Sequence, residues 1–153
     1  MTNRELLNKR YGNPFEDKKA FERKAMALWN PQTLFKWFPT KRLYLNIDLI
    51  APLINTFTVL EYMEVHTEIR KFSGCFNVRY IRGYEDKKIG SLHAWGLAID
   101  FNAKDNPLGL TREQAIEKGL TPFTEAFQQV WRESGWTCGI DFSRKDGMHF
   151  QWT

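Results

Sequence analysis

Apolar residues recur at helical spacing in three long segments of the chain. In residues 16–30 they predict a helix that ends at the Asn-Pro-Gln of positions 30–32. In residues 47–63 they predict a second helix, with Pro52 near its start, where proline is tolerated. In residues 121–135, "TPFTEAFQQVWRESG", Thr121 is predicted to cap a third helix.

The remaining pattern is that of short strands. Residues 65–83, "VHTEIRKFSGCFNVRYIRG", alternate and are rich in β-branched and aromatic residues, which predicts strands broken at Ser73-Gly74. The run "GLAIDFN" at 96–102 predicts a buried strand. Residues 136–153 predict two short strands around a polar turn, and a short helix is expected at 111–119.

This order of elements indicates the fold class. Helices first, then strands with helices inserted, are typical of an α+β fold with a mostly antiparallel sheet flanked by helices. The 153 residues favour a single domain, with a helical part at about 1–64 and a sheet-rich part at about 65–153. Residues 1–43 are aromatic-rich, and they could pack in the core, shape a cleft or bind a polymer surface.

The net charge of the chain only slightly narrows the classes of partner that it could bind. The formal net charge is +4 and the pI is about 9.1, which fits attraction to nucleic acid, anionic lipid or bacterial cell wall. The Lys and Arg residues are scattered, so a surface charged only for solubility is the alternative, and no nucleic-acid partner is expected. A monomer is expected.

Two further features bear on location. The N-terminus has no apolar core of signal-peptide length, and no apolar run approaches the ~18 residues of a membrane span. We therefore expect synthesis in the cytoplasm, with release needed for any action outside. Cys75 and Cys138 could form a disulfide, or both could be buried free thiols.

The chain has three histidines, and two of them suggest a metal site. His66 lies among alternating charged residues and is interpreted as a surface or half-buried strand residue. His93 or His149 alone could each be a core histidine with its hydrogen bonds satisfied. Together with Asp100 they supply two imidazoles and one carboxylate, and a catalytic zinc takes three such ligands and keeps one position for water.

The spacing within "SLHAWGLAIDF" is compatible with this hypothesis. Seven positions separate His93 from Asp100, which suits a turn that brings the chain back along a strand. Gly96 and Ala98, lying between them, are expected to leave the metal position free of side chains.

Hydrolysis at such a site also needs a base and a group that stabilises an oxyanion. Asp146 lies three residues before His149 and is the candidate base, although "KDG" also predicts a simple turn. Arg79 and Arg82 precede the histidine motif and could stabilise an oxyanion or bind a substrate carboxylate. One of the two could instead be a solvated surface charge.

These motifs resemble those of one peptidase family. "SLHAWGLAID" is similar to the SxHxxGxAxD signature of the D-alanyl-D-alanine carboxypeptidase (VanY-like) and L-alanyl-D-glutamate zinc peptidases. "DGMHF" resembles that family's closing DxxH motif, and "GCFNVRYIRG" resembles its upstream segment that contains an arginine. "CGIDF" is similar to a Gly-Gly-Asp-Phe stretch, with Ile140 at the position of the second glycine. The resemblance extends from about position 44 to the C-terminus.

The resemblance implies a fold, a cofactor and roles for the residues. It implies the Hedgehog/DD-peptidase-like fold and a Zn²⁺ ion. The implied zinc ligands are His93, Asp100 and His149, and the implied acid/base is Asp146. An arginine is expected to assist, and Arg79 is preferred to Arg82 for this role. Ser91 and Gly96 are expected to support the site.

The family cleaves peptidoglycan stem peptides, and members without a signal peptide include phage endolysins that act at the cell wall after release. We therefore expect an L-alanyl-D-glutamate endopeptidase of this kind. The alternatives are a D-Ala-D-Ala carboxypeptidase or dipeptidase, and a non-catalytic wall-binding or virion protein.

Overall fold

A computed structural model gives the structure of residues 1–152, and its elements are five α-helices and six short strands. The helices are α1 (Asn3–Tyr11), α2 (Lys18–Ala25), α3 (Ile50–Tyr62), α4 (Arg112–Glu117) and α5 (Glu125–Glu133). The strands are β1 (Met26–Trp29), β2 (Leu43–Asn46), β3 (Phe72–Gly74), β4 (Ala98–Phe101), β5 (Thr137–Cys138) and β6 (His149–Gln151).

The strands form two antiparallel sheets. β1 and β2 pair as a separate two-stranded sheet, and the other strands form a four-stranded sheet in the order β3-β4-β6-β5. Asp100 on β4 lies opposite His149 on β6, and Ile99 lies opposite Phe150. The prediction of an α+β fold with an antiparallel sheet is confirmed.

The two faces of the central sheet have different roles. Side chains alternate along a strand, so Ile99 and Phe101 lie on one face of β4, and Asp100 lies on the other. Phe150 shares the first face and stacks on Trp131 of α5, with ring centroids 4.3 Å apart. All these apolar side chains are fully buried. The aromatic core thus supports the sheet from behind, and the opposite face carries the polar residues of the site.

The predicted helix at 16–30 is wrong in its second half. α2 ends at Ala25, and the next four residues are extended because their backbone groups pair with β2, from Met26 opposite Asn46 to Trp29 opposite Leu43. The N-terminal part is therefore not purely helical. The helix α1, which begins with a capping box at Thr2, was not predicted either.

The strands predicted in residues 65–83 are mostly absent from the structure. Only β3 forms, and Ser73 lies within it rather than at a break. The amide groups of Arg70 and Lys71 donate to Asn102 Oδ1, at 3.0 and 2.9 Å, instead of to a neighbouring strand. The amide of Asn77 donates to the carbonyl of His93, 3.1 Å away, so this segment packs directly on the histidine turn.

The α5 helix begins three residues later than predicted. Thr124, not Thr121, is the cap, because its Oγ1 accepts from the amide of Phe127. The amides of Thr121 and Phe123 donate to the side chains of Asp105 and Asn106, which keeps residues 121–123 out of the helix. The predicted helices at 47–63 and 111–119 are confirmed as α3 and α4 within a few residues at their ends.

Both cysteines are buried free thiols, the second of the two alternatives considered from the sequence. Within residues 1–152, no helix combines the length and the hydropathy needed to cross a membrane.

Candidate metal centre

The central sheet brings one carboxylate and one imidazole face to face. Asp100 and His149 are cross-strand partners on the polar face of the sheet, at the distance where opposed side chains meet. His149 Nδ1 lies 3.1 Å from Asp100 Oδ1. The pairing register of two short strands, β4 with four residues and β6 with three, thus fixes the relative positions of Asp100 and His149.

His93 comes from a different element, a 3₁₀ turn at Leu92–Trp95. Ser91 caps this turn: its Oγ accepts from the amide of His93 at 3.4 Å. The turn ends at Gly96 in the left-handed conformation, with φ of +67°. His93 Nε2 is consequently 3.2 Å from Asp100 Oδ2.

Gly96 has a different purpose from the one expected. A Cβ at this position would lie 2.7 Å from the amide nitrogen of Asn46 and 2.8 Å from Met26 Sδ, both outside the metal position. Its left-handed conformation and the close approach of β2 therefore require glycine. The expectation that Gly96 leaves room for a metal is wrong, and its contribution is to the shape of the turn.

The three side chains match a metal centre in their geometry. One donor atom from each of His93, Asp100 and His149 lies within 4.8 Å of the other two. Atoms bonded to one tetrahedral zinc at 2.0–2.2 Å are roughly 3.3 Å apart. His93 Nε2 is buried and has no hydrogen-bond partner, because its approach to Asp100 lacks hydrogen-bond geometry. A buried lone pair aimed at this position, in an N, N, O donor set, fits zinc.

Each imidazole is oriented by an acceptor on its other side. His93 Nδ1 lies 2.6 Å from the carbonyl oxygen of Cys75, and His149 Nε2 lies 2.9 Å from Gln151 Oε1. Both acceptors call for a protonated nitrogen, so in the neutral form that binds a metal the opposite nitrogen of each ring keeps its lone pair, on the side facing Asp100. Metal-binding histidines have such outer partners almost without exception.

The charges of the site favour an ionised carboxylate. Burial alone raises the pKa of Asp100, but the nearby imidazoles of His149 and His93 outweigh it and hold this pKa well below its usual range. Burial lowers the pKa of His149, and the hydrogen bond and charge of Asp100 more than reverse that effect. The neighbouring imidazoles therefore favour the ionised form of Asp100, which is the form that binds a metal.

Asp146 lies beside this cluster with one oxygen unused. Its Oδ2 is 3.9 Å from His149 Nδ1, and its buried Oδ1 has no hydrogen-bond partner among the described residues. Burial raises the pKa of Asp146 above its ordinary value of 3.8, the positive charge of His149 opposes the rise, and the charge of Asp100 adds to it. A carboxylate with a free oxygen and a raised pKa has the properties of a general base.

Gly139 sets the position of Asp146. The amide of Asp146 donates to the carbonyl of Gly139 at 2.9 Å, and a Cβ on this glycine would lie 2.2 Å from the carbonyl oxygen of Asp146. The turn between β5 and β6 can therefore approach only a glycine. This contact accounts for the glycine of "CGIDF".

The cluster opens into a cleft of about 330 Å³. Asp146 and His149 line it together with Arg79 and Arg82, the two arginines singled out in the sequence. Burial and the charge of Arg82 lower the pKa of Arg79, whereas the charges of Asp100 and Asp146 act to raise it. The Nε of Arg79 is buried without a partner. Arg79 thus lies nearer to the acidic residues of the site, and both arginines face the cleft.

Several contributors to the site were missed in the sequence. Gln151 could have been found, because it lies two residues after His149 and so shares its face of β6. The Cys75 carbonyl could not, because a main-chain acceptor leaves no sequence signal. Arg4 and Arg144 also line the cleft, from α1 and from the β5–β6 turn. His66 lies apart from the site, against Trp37, and in a 3₁₀ turn rather than a strand.

Comparison with models of protein families gives a match to part of the chain. A family model described as D-alanyl-D-alanine carboxypeptidase matches residues 85–152. This range contains His93, Asp100, Asp146 and His149 but neither Arg79 nor the N-terminal helices. No curated protein and no solved structure matches the chain. The family match and the donor cluster together support a zinc peptidase that acts on peptidoglycan, at that general level.

Proposed function

We propose that this protein is a zinc-dependent endopeptidase that cleaves the L-alanyl-D-glutamate bond of peptidoglycan stem peptides. The observation that carries the proposal is the unpaired, buried Oδ1 of Asp146, which lies beside three converging candidate metal ligands, in a residue that lines the cleft together with His149. A purely structural metal site has no need of such a carboxylate. This arrangement favours hydrolysis over a non-catalytic wall-binding or virion role.

The proposed chemistry divides between the metal and the chain. Zinc held by His93, Asp100 and His149 supplies Lewis acidity, which activates water and polarises a carbonyl. Asp146 Oδ1 accepts the proton of the attacking water and returns it to the nitrogen of the leaving amine. Its raised pKa suits the first step, because a carboxylate with a higher pKa is a stronger base towards the attacking water.

Arg79 is the proposed partner of the scissile carbonyl. Its guanidinium faces the cleft close enough to Asp100 and Asp146 to be influenced by their charges, and its Nε is free. Hydrogen bonds from such a group strengthen as negative charge develops on the carbonyl oxygen, which lowers the barrier. Arg82 is more exposed, and we give it no direct part in this step.

The second candidate is a D-Ala-D-Ala carboxypeptidase, which the description of the matched family favours. Digestion of purified peptidoglycan followed by mass spectrometry of the new termini separates the two. We expect new N-terminal D-glutamyl ends. Release of free D-alanine as the sole product would contradict the endopeptidase.

For the endopeptidase we propose a biological role as an endolysin, which acts on the cell wall after its release from the cytoplasm. We also propose that the enzyme works as a monomer.

The role of Asp146 has its own test. In Asp146→Ala we expect wild-type folding and zinc content with hydrolysis reduced by at least about 100-fold, because general acid–base catalysis contributes roughly 10²–10⁴. Asp86→Ala, at an exposed aspartate without side-chain hydrogen bonds, is the matched control and should retain full activity. Wild-type hydrolysis by folded, zinc-loaded Asp146→Ala would exclude the mechanism.

A further inference from the structure

The cleft has an excess of positive charge, because its lining contains four arginines and one carboxylate, that of Asp146. Four arginines line it, and among residues 1–152 none of their guanidinium groups lies within 4.0 Å of a carboxylate. Four arginines elsewhere do form such ion pairs: Arg10, Arg70, Arg112 and Arg132. The unpaired cleft arginines are Arg4, Arg79, Arg82 and Arg144. Because like charges in one cleft repel, an anionic ligand is the natural complement.

Arg144 is held in place for such a role. It donates through Nη2 to the carbonyl of Arg82, and its guanidinium carbon lies 5.1 Å from the centroid of the Tyr84 ring. A Cβ on Gly83 would lie 2.7 Å from Arg144 Nη1. The guanidinium is therefore packed against the backbone of 82–84, which reduces the entropy lost when it binds a ligand.

Arg4 approaches the same cleft from α1. Its Nε donates to the carbonyl of Gly90 at 3.1 Å, and the side chain is half-buried. Burial lowers its pKa, and no acidic group among residues 1–152 offsets that effect. Arg4 lies outside the residues matched by the family model, so the match does not account for this part of the cleft.

We propose that Arg4 and Arg144 form a subsite for a carboxylate of the substrate that is not part of the scissile bond. The proposal rests on the proposed function, in which the substrate is a stem peptide. When a D-glutamyl residue is linked through its γ-carboxyl, its α-carboxylate remains free, and it is the group adjacent to the bond cleaved. Arginine binds such a group with two parallel hydrogen bonds. The apolar walls of the cleft, Ile81, Leu108 and Phe142, suit the hydrocarbon parts of a peptide.

The test compares an acid with its amide. The probes are the tripeptide L-Ala-γ-D-Glu-L-Lys and the same peptide with the D-glutamyl α-carboxylate amidated. Binding to zinc-loaded protein is measured by calorimetry in an Asp146→Asn background, so that hydrolysis does not enter. We expect the acid to bind about 10-fold more tightly than the amide, as one charge-assisted bidentate contact provides.

Variants of the two arginines test whether they cause the preference for the acid over the amide. Arg4→Gln and Arg144→Gln should each bring the acid-to-amide ratio close to one, whereas Arg4→Lys should retain part of it. Arg23→Gln, at an exposed arginine of α2, is the matched control and should keep the full ratio. Thermal unfolding of each variant checks that it is folded.

Equal binding of acid and amide, or a ratio that survives in both glutamine variants, would overturn the subsite. The proposed function is judged separately by the wild-type enzyme. A preserved preference for the acid with no cleavage of either peptide would contradict the endopeptidase and leave the subsite standing.

Discussion

At the scale of residues, the proposed metal site depends on acceptors that orient the imidazoles of His93 and His149. In the neutral ring of His149, donation from Nε2 to Gln151 Oε1 keeps the lone pair on Nδ1, the nitrogen that faces Asp100. The equivalent acceptor for His93 is a main-chain carbonyl, which substitution of a side chain cannot remove. Gln151 is therefore the one outer partner whose contribution mutagenesis can measure.

Gln151→Leu should weaken zinc binding by about 10- to 100-fold, the usual effect of losing an outer hydrogen bond to a ligand histidine. The change removes the acceptor while keeping a similar side-chain volume. Competition with a chelator of known zinc affinity provides the measurement. Gln129→Leu, at an exposed position of α5, is the control and should leave zinc affinity unchanged. Equal zinc affinity in Gln151→Leu and the wild-type protein would show that Gln151 does not support the site.

The sequence allowed the cluster of candidate metal ligands to be anticipated, but not its geometry. His93, Asp100 and His149 were chosen by donor chemistry and motif spacing, and the structure brings them together. The purpose of Gly96 was mistaken, because its constraint comes from contact with β2, fifty residues earlier in the chain. Contacts between distant segments leave no local pattern in a sequence.

At the scale of elements, local patterns predicted the helices better than the strands. The α3 helix is thirteen residues long and strongly apolar, and it was predicted nearly to its ends. The strands have two to four residues, too few for alternation to distinguish them from loops. β1 could not be predicted, since it continues the apolar pattern of α2 and is extended only through pairing with β2.

The start of α5 offers a direct comparison between two threonines. Thr124→Ala should lower the free energy of unfolding by about 1 kcal/mol or slightly more, since it removes the helix cap and a hydrogen bond to Glu68. Thr121→Ala should change it by less than about 0.5 kcal/mol, because only the backbone of Thr121 forms hydrogen bonds. Urea denaturation measures both. A larger loss of unfolding free energy in Thr121→Ala than in Thr124→Ala would instead support Thr121 as the cap, as the sequence predicted.

At the scale of the whole molecule, charged side chains connect the loop after β4 to the segment before α5. Asp105 accepts from the amide of Thr121 at 3.1 Å and from Arg70 Nη2 at 3.0 Å. The backbone hydrogen bond from Thr121 is the main reason that the pKa of Asp105 lies below its ordinary 3.8; burial opposes the shift, and Arg70 strengthens it. Because the folded pKa is depressed, this stabilisation is present above pH 3.8 and is lost as the pH falls through the folded value.

Asp105→Asn should therefore destabilise the protein by about 0.5–1 kcal/mol at pH 7, a value reduced by the partial exposure of the ion pair. The difference between variant and wild type should shrink as the pH is lowered below 3.8, because the wild-type carboxylate then becomes protonated too. Urea unfolding at pH 7 and at a series of acidic pH values measures this difference. A difference that is constant or grows towards low pH would contradict the assigned pKa direction.

The N-terminal segment is integrated with the site rather than appended to it. Trp95, in the same turn as His93, donates through Nε1 to Asn8 on α1, and Phe15 stacks on Tyr80 in the segment before that turn. Leu7 is buried in the common core. Of the roles left open for residues 1–43, core packing and shaping of the cleft are both observed. That the chain is a single domain with a helical part and a sheet-rich part, divided at about residue 64, stays a prediction.

The central claim is that His93, Asp100 and His149 hold one zinc ion. Its most direct test is elemental analysis of the purified protein beside His93→Ala and His149→Ala, with His66→Ala as the control because His66 lies apart from the site. We predict one zinc per chain in the wild type and in His66→Ala, and less than a tenth of that in the other two variants. Stoichiometric zinc retained by either His93→Ala or His149→Ala would contradict the account.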